Sequence, residues 1–188
     1  MFKSLLAVAA LVVSVSAQAS DIFATPFQKQ QLTQAQGVIK TFGLNWKVGD
    51  ENNYKMNLGG FLNGSMKMYV REITADGVWM VQDVDLMIQK QKVEVLLDSA
   101  TGQVKKMLVN GQEQQPPSSN PEIIDQRQER ITVPAGTFDV IYVKMKDGDQ
   151  ESEMWVNPRD IPLSGMVKMA AQSPIGPVTT ELVSFVKK

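Results

Sequence analysis

The sequence predicts a mainly β domain: about eleven antiparallel strands curled into a half-barrel, with one N-terminal helix. Three observations predict it. Long stretches alternate apolar and polar residues with a period of two, as in Tyr54-Lys55-Met56-Asn57-Leu58. Turn-forming units separate these stretches at short intervals, among them Val133-Pro134-Ala135-Gly136 and Ser173-Pro174-Ile175-Gly176. A helical spacing occurs in one segment alone, residues 26–40.

Residues 1–19 read as a signal peptide rather than part of the fold. Lys3 supplies a positive start, LLAVAALVVSV (5–15) an apolar centre, and Ala17-Gln18-Ala19 a small-x-small cleavage site before Ser20. The apolar run is shorter than the ~20 residues that span a bilayer. No Cys follows the cut, so the expected product is not a lipoprotein, and no twin-Arg pair directs export in folded form. A periplasmic protein with no integral membrane segment is expected. Residues 20–188 are of a size for one domain with a substantial core.

The mature chain opens with a helix. Thr25-Pro26-Phe27-Gln28 has the form of a capping box with Pro at the first helical position, and Leu32, Ala35, Ile39 and Phe42 follow at near-helical spacing. The helix is expected over about 26–40, interrupted near Gly37.

Strands follow. Leu44, Trp46 and Val48 alternate with polar neighbours, then Tyr54, Met56 and Leu58, then Met66, Met68 and Val70. Three successive segments with one apolar and one polar face predict antiparallel, half-buried strands. The pattern continues through Val78–Ile88, Val93–Leu97 and Gln103–Val109, separated by Ala75-Asp76-Gly77, Asp98–Gly102 and Asn110-Gly111. Residues 112–122 are polar and Pro-rich and read as a loop. Further strands are expected at 130–133, 137–146, 151–156, 165–171 and 178–186. Pro134 and Gly136 fit a type I turn with Gly136 in the left-handed conformation of a bulge, and Lys146-Asp147-Gly148-Asp149 fits a tighter reversal. An open flat sheet of eleven strands is unfavourable, so the sheet should curl around the single helix and keep some apolar surface.

Composition narrows the chemistry. The chain has neither Cys nor His, which excludes thiolate nucleophiles, disulfides, imidazole bases and histidine or thiolate metal sites. Without Lys3 the chain holds 18 basic and 20 acidic residues, so it has no electrostatic footprint for nucleic acid. No cofactor is expected.

Six motifs, taken in order, are W-x-V-G-D at 46–50, Y-x-M at 54–56, N-G-S-M-x-M at 63–68, D-x-x-T-G-x-V at 98–104, V-P-A-G-T-F at 133–138 and W-V-N-P-R-D-I-P at 155–162. Together they resemble exported bacterial proteins related to the LolA-like superfamily of periplasmic lipoprotein carriers. The resemblance spans most of the mature chain and rests on turns and strand anchors. It implies an eleven-stranded half-barrel closed by helix and loops around an apolar cavity that holds acyl chains. Arg71 lies on the polar face by its alternation, so the role of the carriers' cavity arginine is not assigned to it.

Leu44, Trp46, Tyr54, Met56, Met66 and Met68 are the candidates for a ligand lining. Flexible, polarizable methionine suits an adaptable pocket, and it serves equally as ordinary core filler. Trp46, Trp79 and Trp155 are read as packing residues. Asp83 and Asp85 share one strand face and could form a paired-carboxylate or cation site, but Val84, Leu86 and Ile88 oppose them, which makes theirs a solvated face. The cluster from Asp147 to Glu151 is explained by its hairpin turn.

The sequence therefore reads as a non-enzyme of the cell envelope, without metal. It would carry an apolar or amphiphilic ligand (a lipid, an acyl chain or a lipidated protein). The alternative is an envelope assembly module with a filled core that binds a protein partner.

Overall fold

The computed structural model describes residues 44–87, 89–116, 121–173 and 176–188. The expected signal peptide and the helix at 26–40 lie outside the described residues. Eleven strands form one antiparallel sheet: β1 (Glu51–Leu58), β2 (Leu62–Thr74), β3 (Gly77–Asp85), β4 (Lys90–Leu97), β5 (Val104–Val109), β6 (Gln112–Gln114), β7 (Glu122–Val133), β8 (Gly136–Asp147), β9 (Gln150–Val156), β10 (Met166–Ser173) and β11 (Gly176–Val186). Their order is β6-β5-β4-β3-β2-β1-β11-β10-β9-β8-β7. Two meanders thus meet where β1 pairs with β11, and the sheet stays unclosed, with β6 and β7 at its edges. Among the described residues no helix is long and apolar enough to cross a membrane.

The sheet curls. Ala135, in the β7–β8 turn, donates its amide to the Leu182 carbonyl of β11 at 3.1 Å. β8 and β11 are three places apart in the sheet, about 14 Å if it were flat. Pairing of β10 with β11 ends at Lys168 opposite Glu181, which leaves the Leu182 carbonyl without a strand partner on that side. Phe138 and Phe185 meet edge to face across the same gap, with ring centres 6.3 Å apart.

Several expectations are corrected here. Residues 44–48 form no strand, because both flanks of β1 are already taken by β2 and β11. Trp46 turns inward but Val48 is 56% exposed, and the Lys47–Asp50 turn is fixed by the Lys47 amide donating to Asp50 Oδ2 at 2.8 Å. β3 stops at Asp85, where the Leu86 amide bonds back to the Gln89 carbonyl. The polar segment 112–122 contributes β6 and the start of β7, and β7 runs twelve residues rather than four. Gly136 has a φ of 140° but pairs with Val133 in unbroken register, so it closes the turn without a bulge.

The connection between β9 and β10, residues 157–165, is largely buried: Asn157 and residues 161–165 are buried, while Arg159 and Asp160 reach the surface. The Asn157 amide donates to the Gly165 carbonyl at 2.7 Å, and the Ile161 amide to the Asn157 carbonyl at 3.0 Å. Gly165 takes a φ of 69°, and a Cβ there would lie 2.6 Å from Pro158 Cα. This tight ring presses Ile161 and Leu163 into the core.

Candidate functional site

One face of the sheet is the core. In β1, Asn52, Tyr54, Met56 and Leu58 point to it; in β2, Met66, Met68 and Val70; in β3, Met80, Gln82 and Val84. Cross-strand registers align these into rows. One row reads Met154, Met169, Thr180 and Met56 across β9, β10, β11 and β1. Another reads Phe185, Asn52, Met68, Gln82 and Val93 across β11, β1, β2, β3 and β4. Every methionine after Met1 except Met87 is buried. The thioether has three rotatable bonds and no hydrogen-bonding demand, so such a face can repack around different shapes.

The six expected lining residues fall into one apolar cluster, with Leu44 half-buried against it and the other five buried within it. Trp46 is a structural anchor there: its Nε1 donates to the Leu163 carbonyl at 3.0 Å. Tyr54 is buried and donates its hydroxyl to the Met166 carbonyl at 3.0 Å. Burial pushes that hydroxyl well above the usual phenol range, so it stays protonated and serves as a fixed donor.

Sequence reasoning missed the polar members of this face. Asn52 donates from Nδ2 to the Tyr54 hydroxyl and to the Pro162 carbonyl, each at 3.0 Å. Both amide hydrogens are thereby used, and the Oδ1 atom is held in place with no partner. Gln82 Nε2, Gln91 Nε2 and Thr180 Oγ1 are likewise buried atoms without a partner. The signal was available: Asn52, Gln82 and Thr180 occupy the same strand parity as their buried neighbours.

The opposite face is polar and internally paired. Arg71 stacks on Trp79, 4.6 Å from the ring centre, and its guanidinium bonds Glu94. Arg127 covers the Tyr142 ring at 3.7 Å, Tyr142 tilts against Trp155 at 5.2 Å, and Lys168 lies 5.4 Å from the Trp155 ring. Trp79 and Trp155 are therefore half-buried packing residues under cations, while Trp46 belongs to the core. Asp85 binds Lys90 at 3.0 Å, and this bond holds its carboxyl below the ordinary range. Asp83 stands beside Lys92 in the β3–β4 register. The two aspartates line an open cleft of about 420 Å³ together with Lys67, Lys90 and Lys92, so their charges are met by cations. Among the described residues no group of three or more acidic side chains could hold a metal ion.

No family model matches the chain, and no curated protein matches it. Among solved structures it is similar to MucB in the Pseudomonas aeruginosa MucA/MucB complex, with a TM-score of 0.43 and 10% identity over 84% of this chain and 56% of that one. It is similar to a crystal structure of MucB, with a TM-score of 0.42 and 8% identity over 84% of this chain and 59% of that one. It is also similar to LprF from Mycobacterium bovis, with a TM-score of 0.36 and 12% identity over 86% and 93%. The chain spans less than two thirds of the MucB chains it resembles. With TM-scores below 0.5, these likenesses bear on neither the fold nor the function of the chain.

Proposed function

We propose that this chain is an exported, non-enzymatic carrier of the LolA-like kind, which holds the apolar part of an amphiphile against the buried face of its curled sheet. Residues 1–19 would direct export to the periplasm, and 20–188 would be the single working domain. The observation that carries the reading is the concentration of methionine on one face of an unclosed sheet. Ordinary cores are filled chiefly by branched residues with fixed rotamers, and a methionine face gives up that definition for adaptability. Tyr54, Met56, Met66 and Met68 would contact the ligand, with Leu44 and Trp46 at its margin.

A second reading rests on a different feature. β7 is a twelve-residue edge strand with Ile123 57% and Ile124 42% exposed, a form suited to a protein partner that adds a strand. The test that separates them is native mass spectrometry of protein purified from its own cells, followed by lipid extraction. A carrier retains a discrete lipid mass; a partner-binding module retains none and co-purifies with a protein instead.

A further inference from the structure

We infer that the amphiphile is electrically neutral, with a hydroxyl and an ester or amide carbonyl beside its chain, and that Asn52 Oδ1 and Gln82 Nε2 receive these groups. The inference rests on the carrier reading above and adds the chemistry of the headgroup.

A buried donor or acceptor without a partner costs about 1–3 kcal/mol, so native cores keep few of them. Here two such atoms, Asn52 Oδ1 and Gln82 Nε2, stand in one cross-strand row on either side of Met68. Their backbones lie two strand spacings apart, about 10 Å, with both side chains on the core face. Asn52 cannot turn its amide away without losing the bonds to Tyr54 and Pro162. Its free oxygen is an acceptor fixed in direction, and it calls for a hydroxyl or amide hydrogen. The Gln82 nitrogen is a donor and calls for a carbonyl or hydroxyl oxygen. Gln91, diagonal to Gln82 across the β3–β4 pair, offers a second unpartnered amide nitrogen. Thr180 lies four residues farther along the sheet, opposite Met56, and is not part of this row.

Charge completes the assignment. The buried charged groups among the described residues are Asp50 and Glu94. Asp50 Oδ1 and Oδ2 accept the amides of Lys188 and Lys47, and Glu94 is bound by Arg71 on the polar face. Among the described residues the row itself holds no cation, and Lys67, Lys90 and Lys92, which share a cleft with Gln91, are engaged by Glu51, Asp85 and Glu94. A carboxylate or phosphate brought to the row would therefore be desolvated with little compensation. A neutral headgroup loses far less and satisfies both amides.

The test uses protein expressed from the full chain, stripped of lipid, with monoolein, oleate at pH 8 and 1-octadecene as probes in equilibrium partition measurements. Monoolein should bind at least about tenfold tighter than oleate, and Gln82→Met should weaken monoolein about tenfold, the worth of one hydrogen bond, while octadecene is unchanged. Because Gln82→Met removes a buried unpartnered amide, its melting temperature should not fall. Gln82→Leu should give the same pattern without a thioether. Monoolein affinity within twofold of wild type in both variants, or oleate bound as tightly as monoolein, overturns the headgroup assignment and leaves the carrier standing. Failure of all three probes to bind overturns both.

Discussion

The indole nitrogen of Trp46 and the carbonyl of Leu163, 117 residues apart in sequence, are joined by a hydrogen bond of 3.0 Å. The bond ties the approach to β1 onto the buried part of the 157–165 connection, and Asn52 adds a second tie through Pro162. Trp46→Phe keeps most of the apolar contact but strands the Leu163 carbonyl. It should cost about 1–2 kcal/mol, read as a lower urea midpoint with an unchanged m-value.

The 157–165 connection also sets a contrast between two glycines. Gly165 and Gly148 have similar φ values, 69° and 62°, but a Cβ at Gly148 meets nothing within 4 Å while one at Gly165 strikes the Pro158 backbone. Gly148→Ala should cost about 1 kcal/mol, from conformation alone. Gly165→Ala should cost roughly 3 kcal/mol or more, because the opposing atoms cannot rotate away. Thermal melts of the two variants check the order.

Asp98 gives the pH dependence a local source. Its carboxylate binds Lys105 at 2.9 Å and accepts hydrogen bonds from Thr101 and Ala100, and these hold its pKa well below the ordinary range, the Lys105 bond foremost. A group whose folded pKa is depressed adds stability that is present above the unfolded value, near 3.9, and is lost as pH falls toward the folded value. Wild type should therefore exceed Asp98→Asn in urea midpoint at pH 7, and the gap should begin to narrow near pH 4 and shrink further as the pH falls. A gap independent of pH would remove Asp98 from the acid response.

Alternation made most of the sheet legible. β1, β2, β9 and β11 each bury one face, and burial imposes a period of two that the residues display. β6 and most of β7 were hidden because an edge strand exposed on both faces has no reason to alternate. Leu44, Trp46 and Val48 show the converse failure: three alternating residues describe a strand only if a neighbouring edge is free to pair. The apolar half of the candidate site was readable for the same reason as the strands. Its polar half was not, since Asn52 and Gln82 carry meaning only once the register sets them on either side of Met68.

The central claim is that the buried face admits an acyl chain, and Met66 and Met68 test it most directly, because each packs in the middle of that face. Delipidated protein should bind a fluorescent monoacylglycerol saturably, and ligand should raise the melting temperature by linkage. The double substitution Met66→Phe/Met68→Phe should then weaken binding by more than it lowers stability, because the added volume occupies ligand space. In a filled core the same change is overpacking, which costs ~1–3 kcal/mol of stability with no binding to lose. Saturable binding that the double variant weakens is the predicted result; no binding, with a destabilised double variant, would contradict the carrier.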